Sequence, residues 1–341
     1  MSTAPSPHNS QRLKWLDTAR GIGIILVVAG HVERGLVAGN IATSSAWSIL
    51  DVGLYTFHMP LFMVLAGLNV KQSLSKGKPR FIRSKSRSVV LPYIIWSVIQ
   101  GSLLVALSGS TNSSTSWNDV LSIGWKPIAP FWFLYALFIY FCVASLSVNR
   151  VLLTALAIFG IVLADSFEPG SFANLLCHHF LFFVIGVTAG DWIKNWNPNR
   201  PAMMLLAGII GYFVGWQVLA AGKTAYTSVS AIPCAIMGSI VVLTLARMVN
   251  RSASYLEWIG QRSMPIYVMH IIAASGSRMI LQKLGITTDA SIFFIVGVCS
   301  GVGFPLLAFA VMNRWGISPL FGLGDRPRLS GPLPDSPVAS R

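Results

Sequence analysis

The stretch LDTARGIGIILVVAGHVERGL, residues 16–36, decides the fold of this chain. Its apolar run is long enough for one helical crossing of a bilayer, which takes about 17 to 25 residues. Asp17, Arg20 and His31 lie within or beside that run, where ionisable side chains are costly and are usually there for a function. The stretch therefore predicts a membrane helix whose polar residues require an explanation.

The composition of the whole chain is that of a membrane protein. Of its 341 residues, 54% are hydrophobic and 11% are charged, whereas about a quarter of the residues of a soluble protein are charged. The mean hydropathy is +0.65. The formal net charge of +14 indicates membrane topology and anionic partners rather than nucleic acid, because apolar runs fill the chain. The four cysteines stand singly and predict core positions rather than a metal site.

Apolar runs separated by polar, Gly/Pro or charged clusters predict an all-α membrane bundle of about ten transmembrane helices with no soluble domain. The bundle domain is predicted to span residues 13–315. Polar ends rich in Pro and Ser, residues 1–12 and 316–341, are predicted to be disordered and cytoplasmic. The ten helices are predicted near 17–37, 49–70, 88–108, 130–148, 150–165, 174–192, 202–220, 229–249, 263–281 and 290–312.

The distribution of Lys and Arg predicts the direction of the bundle. With the N-terminus inside, 20 of the 25 basic residues fall on the cytoplasmic side, as the positive-inside rule requires. An even number of helices places the C-terminus on that side as well. The densest basic segment, residues 71–87, is then cytoplasmic.

Helical geometry places Arg20 and His31 on one face of the first helix. Eleven residues at 100° each leave them about 20° apart in azimuth and about 16 Å apart along the axis. Asp17 lies one turn before Arg20, where it can cap the helix or pair with the arginine. A neutral imidazole is well suited to accept a proton near neutral pH, so His31 is the candidate for catalysis.

The other histidines in apolar runs can have functional or structural roles. His58 precedes Pro60 in the second apolar run, where it can act in catalysis or satisfy the backbone group that the proline frees. His270 is expected to have a structural role rather than a catalytic one. His178 and His179 are adjacent and diverge by 100°, which argues against a shared metal ion.

A dense basic segment, KGKPRFIRSKSR, leads directly into the third helix. It fixes topology under the positive-inside rule. Its spacing also allows a short helix with a row of guanidinium groups that suits phosphates. The candidate phosphate ligands are Arg80, Arg83, Lys85 and Arg87.

These segments together resemble the acyltransferase-3 family of integral-membrane acyltransferases. The similarity rests on LDTARG with its Arg-to-His spacing, on FHMPLF, on the basic segment before LPYIIW, on PFWFLYALF and on WIGQRSMPIYVMH. FHMPLF and WFLYALF look most like the branch related to fucose 4-O-acetylase. The resemblance spans about residues 13–315.

The resemblance implies an enzyme of the bacterial inner membrane that moves an acyl group, usually acetyl, from cytoplasmic acyl-CoA to a hydroxyl. The implied acceptor is a surface polysaccharide, such as exopolysaccharide or lipopolysaccharide, or its lipid-linked precursor. The family's arginine and histidine fall on Arg20 and His31, and its basic pair falls on Arg80 and Arg83. No metal is implied.

His31 can then act as a general base or carry the acyl group itself, and Trp132 can stack on the sugar. The alternative functions are a transporter or flippase, or a non-catalytic component of polysaccharide assembly.

Overall fold

Long apolar helices form the framework of the computed structural model, which describes residues 13–107, 115–128, 130–222, 224–249, 254–285 and 288–324. Within these residues all regular secondary structure is helical. The α-helices are α1 Lys14–Ala38, α2 Ser45–Gly67, α3 Val70–Leu74, α4 Lys78–Lys85, α5 Leu91–Ala106, α6 Trp117–Leu121, α7 Trp132–Leu146, α8 Arg150–Ala164, α9 Phe172–Thr188, α10 Gly190–Asn195, α11 Pro201–Ala221, α12 Ile232–Val249, α13 Ser254–Gln261, α14 Ser263–Leu284 and α15 Ala290–Arg314.

Ten apolar segments of the described chain coincide with the ten predicted helices. Seven are long and apolar enough to cross a membrane, and α7, α8 and α9 are shorter apolar helices of 15 to 17 residues. At 1.5 Å per residue the short ones extend about 22 to 26 Å, slightly less than the hydrocarbon core. The all-α, multi-pass membrane bundle is therefore confirmed. Its direction stays a prediction, because a helix bundle does not itself show which end is cytoplasmic.

Helix α1 lies at the centre of the bundle and packs against α2, α12, α13, α14 and α15. Its closest neighbour is α13, where the two backbones touch. A Cβ atom on Gly21 would collide with the Leu256 carbonyl, and one on Gly260 would collide with the Asp17 carbonyl. Small residues permit such close crossings in membranes, so this glycine pair fixes the start of α1 against α13.

The short basic helix that the sequence allows is present as α4, Lys78–Lys85. It continues through a π-helical turn, Ser86–Val90, into α5. The Phe81 ring packs edge-on against Phe141 of α7, with centroids 5.7 Å apart. The basic helix is thereby attached to the wall of the bundle, and π-turns of this kind are often found at functional sites.

The chain after α15 folds back onto α5. A 3-10 turn, Ser318–Phe321, places the Phe321 carbonyl where Trp96 Nε1 donates a hydrogen bond to it at 3.0 Å. Leu323 is 5% exposed. Residues 318–324 of the predicted disordered tail are thus packed against the bundle. Residues 1–12 and 325–341, also predicted to be disordered, lie outside the described residues.

Candidate active site

Two adjoining cavities follow the face of α1 that carries Arg20 and His31. The Arg20 cavity has a volume of about 180 Å³ and the His31 cavity about 160 Å³. Met59 of α2 and Tyr267 of α14 line both. The two side chains that sequence spacing placed on one face therefore line two neighbouring cavities, which share Met59 and Tyr267 as wall residues.

The two cavities have different walls. Around the Arg20 cavity the wall is largely apolar, formed by Ile24, Val27, Phe62, Leu65, Leu134 and Leu137. Around the His31 cavity it is polar and aromatic, formed by Arg34, Tyr55, His58, Trp132, His179 and Tyr226. One cavity suits a flexible apolar chain and the other suits a polar ligand with flat faces.

His31 is held by an aromatic neighbour and a second imidazole. The Tyr55 hydroxyl lies 3.3 Å from His31 Nδ1 in hydrogen-bonding geometry. The His270 ring lies with its centroid 5.1 Å from that of His31. When Nδ1–H donates to the phenol oxygen, Nε2 keeps the lone pair that a proton acceptor needs.

Tyr55 is itself fixed by an ion pair. The Arg34 guanidinium stacks on its ring, 3.1 Å from the centroid. Arg34 binds Asp51 through two hydrogen bonds, Nε to Oδ1 at 2.5 Å and Nη2 to Oδ2 at 3.1 Å. Glu33, 1% exposed, precedes Arg34 on α1 and lies beside Asp51. This cluster holds the tyrosine that contacts His31.

Asp17 pairs with Arg20 beside the other cavity. The Asp17 Oδ1 to Arg20 Nη1 distance is 2.7 Å, and Asp17 is 1% exposed. The residue preceding α1 is Leu13, whose side chain makes no capping hydrogen bond, and Asp17 lies within the helix rather than at the cap position. Of the two alternatives for Asp17, the structure shows the pair with Arg20. The carboxylate orients the half-buried guanidinium at the mouth of the Arg20 cavity.

The remaining histidines divide between cavity and core. His58 and His179 line the His31 cavity, each with Nδ1 donating to the carbonyl four residues earlier. His270 lies behind His31 and donates from Nδ1 to the Tyr267 carbonyl at 2.7 Å. Among the described residues, no group of three or more His, Cys, Asp or Glu side chains is arranged to hold a metal ion.

The basic residues of α4 and the π-turn have two different environments. Arg80, Arg83 and Arg87 are exposed. Lys85 is half-buried, with Nζ 4.3 Å from the ring centroid of Phe141. Phe141 lies one helical turn beyond Leu137, which lines the Arg20 cavity. The exposed arginines are therefore the more accessible of the four candidates for binding phosphate.

Sequence reasoning missed Tyr55, Tyr267 and the Arg34–Asp51 pair. Tyr55 precedes His58 by three residues, and Tyr267 precedes His270 by three, so helical spacing was an available signal for both tyrosines. Arg34 and Asp51 are on different helices, and no local pattern joins them. Trp132, considered for stacking on a sugar, does line the His31 cavity.

The geometry agrees with the class of protein that comparison identifies. A family model described as "Acyltransferase domain", of the acyltransferase-3 type, matches residues 13–310. The chain belongs to the acyltransferase-3 family, and its class is that of membrane-bundle proteins with an acyltransferase domain.

Two curated relatives are similar to the chain. Nodulation protein NolL of Mesorhizobium japonicum is 28% identical over 235 residues, which cover 66% of this chain and 60% of that protein. Nodulation protein NolL of Sinorhizobium fredii is 27% identical over 183 residues, which cover 52% and 49%. The chain thus spans about half to three fifths of the length of these relatives. No solved structure matches the chain.

Proposed function

We propose that this protein transfers an acyl group, typically acetyl, from acyl-CoA to a hydroxyl of a surface polysaccharide or its lipid-linked precursor. The observation that carries the proposal is the pair of neighbouring cavities along one face of α1, an apolar one at Arg20 and a polar, aromatic one at His31, with Met59 and Tyr267 in the walls of both. Membership of the acyltransferase-3 family supplies the class of reaction.

The donor binds at the Arg20 end. Arg80, Arg83 and Arg87 are exposed guanidinium groups, which suit the phosphates of CoA because they bind phosphate oxygens through paired hydrogen bonds. The apolar Arg20 cavity takes the arm that carries the thioester. Along the axis of α1, Arg20 and His31 are about 16 Å apart, at 1.5 Å per residue over 11 residues. Arg20, oriented by Asp17, lies where the arm enters.

The transfer takes place beside His31. The acceptor oxygen attacks the thioester carbonyl while His31 takes the hydroxyl proton, so that a C–O bond forms and the C–S bond breaks. The CoA thiolate leaves with the electron pair of the C–S bond and receives the proton from His31. Tyr55 keeps the imidazole in position. In the covalent alternative, His31 first accepts the acyl group and then passes it to the acceptor oxygen.

The proposed setting is the cytoplasmic membrane of a bacterium, with both chain ends inside. The excess of Lys and Arg in the inner loops supports this direction. The exposed arginines then meet cytoplasmic acyl-CoA, and the His31 cavity lies toward the opposite face. Membrane lipids surround the apolar outer faces of the helices.

Mass spectrometry of the surface glycan tests the proposal. A strain with a clean deletion is complemented with the wild-type gene, with His31→Ala or with His178→Ala, a buried histidine on α9 that is not among the residues lining the two cavities. We expect the deletion to lose O-acyl groups, the wild type and His178→Ala to restore them, and His31→Ala to restore none.

Membrane protein levels of each variant are measured alongside the glycan. Unchanged O-acyl content in the deletion strain would show that the protein is not the acyltransferase for that glycan. Full restoration by His31→Ala at normal protein level would leave the class intact and remove His31 from the mechanism.

A further inference from the structure

Two histidines in the wall of the His31 cavity have a ring nitrogen that can only accept a hydrogen bond. His58 Nδ1 donates to the Leu54 carbonyl, and His179 Nδ1 donates to the Leu175 carbonyl at 2.9 Å. A carbonyl cannot donate, so the proton of each ring is on Nδ1. A neutral imidazole has a single N–H. Nε2 of both rings therefore carries a lone pair.

Both rings are neutral on structural grounds. In the described part of the chain, the hydrogen-bond partner of each is a main-chain carbonyl rather than a carboxylate. The Asp51 carboxylate on the same helix as His58 is engaged by Arg34. Burying an imidazolium without a paired anion is costly. Each Nε2 is accordingly an acceptor and not a second donor.

The part of the chain that the structure describes leaves the His58 acceptor unsatisfied. Nε2 of this fully buried residue has no hydrogen-bond partner within the described residues, and a buried polar atom without a partner destabilises the fold. Two donors of the same wall are already engaged, because Arg34 binds Asp51 and the Tyr267 hydroxyl donates to the Pro130 carbonyl at 2.6 Å. The wall thus offers acceptors to a ligand that brings donors.

We infer that His58 and His179 form a subsite that binds hydroxyl groups of the acceptor other than the one that is acylated. This inference rests on the proposed function. The ligand class is a polyol such as a sugar ring, whose O–H groups supply the donors that the two Nε2 atoms accept. Carboxylate and phosphodiester groups carry no donor and do not satisfy these atoms. The Trp132 ring, with its centroid 5.1 Å from that of His179, adds a flat face beside the subsite.

The test uses the full-length protein in lipid nanodiscs, labelled acetyl-CoA, and surface glycan extracted from the deletion strain as acceptor. We expect His58→Leu and His179→Leu each to raise the half-saturating concentration of glycan about 3- to 10-fold, the effect of losing a neutral hydrogen bond. The half-saturating concentration of acetyl-CoA stays unchanged. His58→Gln, whose amide oxygen can accept from a hydroxyl, restores part of the glycan binding.

His178→Leu is the matched control, because His178 is buried on α9 next to His179 but is not among the residues that line the cavity. We expect it to leave the glycan requirement unchanged. If His58→Leu does not fold, His58→Met replaces it, since methionine keeps the side-chain volume with only a weak acceptor.

Three results are decisive. A glycan requirement in the His58 and His179 variants no higher than in His178→Leu would overturn the subsite. An equal rise in the acetyl-CoA requirement would also overturn it, since that indicates a general distortion of the two cavities. A wild-type protein that transfers no label to the glycan would overturn the proposed function and the subsite together.

Discussion

The Arg20 and His31 cavities share Met59 and Tyr267, yet their chemistry differs. The first is apolar and has one ion pair, Asp17 with Arg20, at its mouth. The second is lined by histidines, aromatic rings and the Arg34 guanidinium. In a transfer reaction, the flexible arm of the donor needs an apolar space, which the Arg20 cavity offers. The acceptor needs groups that orient it, which the His31 cavity offers. Variants at the two ends should therefore change different kinetic constants.

The largest expected effect is the loss of His31. His31→Gln keeps a polar side chain but removes the proton acceptor, so we expect the transfer rate to fall about 100- to 10,000-fold, the range for general acid–base catalysis. Binding of acetyl-CoA, measured by calorimetry on the protein in nanodiscs, should be unchanged. His178→Gln is the control. Equal loss of binding and turnover in His31→Gln would show that the histidine supports the fold rather than the chemistry.

A smaller effect is expected at the donor end. Removing the charges of Arg83 and Arg87 together, with glutamine at both positions, should raise the half-saturating concentration of acetyl-CoA about 5- to 50-fold, because phosphate loses two charged donors. The glycan requirement should stay the same. Steady-state kinetics with each substrate varied in turn measures both.

The control for that pair is Lys194→Gln with Arg200→Gln, which removes the same charge from another predicted cytoplasmic segment. If both double variants raise the half-saturating concentration of acetyl-CoA equally, Arg83 and Arg87 act on the membrane topology of the protein and not on donor binding.

The sequence alone predicted the helical segments and the placement of Arg20 and His31 on one helix face. Apolar length predicted the ten segments, and the 3.6-residue period placed Arg20 and His31 on one face. The basic spacing was compatible with α4. These features depend on a single helix, for which the period is enough.

Contacts between helices were not visible. Tyr55 meets His31 from another helix, and Arg34 reaches Asp51 across the turn between α1 and α2. The period of one helix shows which residues share a face, but it does not show which neighbour that face meets. The glycine crossing at Gly21 and Gly260 is hidden for the same reason, because the two residues lie in helices far apart in the chain.

A modest effect is expected at Tyr55. Tyr55→Phe removes the hydroxyl beside His31 Nδ1 and keeps the ring under Arg34, so we expect turnover to fall about 3- to 10-fold, as for one hydrogen bond. The half-saturating concentrations of acetyl-CoA and of glycan should both stay unchanged. Tyr140→Phe is the matched control, because its hydroxyl donates to the Leu176 carbonyl at 2.6 Å and Tyr140 is not among the residues lining either cavity. A Tyr55→Phe enzyme with wild-type turnover would remove this residue from the positioning of His31.

The smallest expected effect separates Lys85 from its neighbours. Its ammonium lies over the Phe141 ring, so it fixes α4 to α7, whereas Arg83 is exposed and available to phosphate. Lys85→Gln should lower the free energy of unfolding by about 0.5 to 1 kcal/mol, the worth of a cation–π contact that solvent still reaches, and leave the acetyl-CoA requirement nearly unchanged. Arg83→Gln should leave the free energy of unfolding nearly unchanged and raise the acetyl-CoA requirement. Thermal unfolding and acetyl-CoA titrations of the two single variants decide, because a phosphate-binding role for Lys85 would raise the acetyl-CoA requirement as much as Arg83→Gln does.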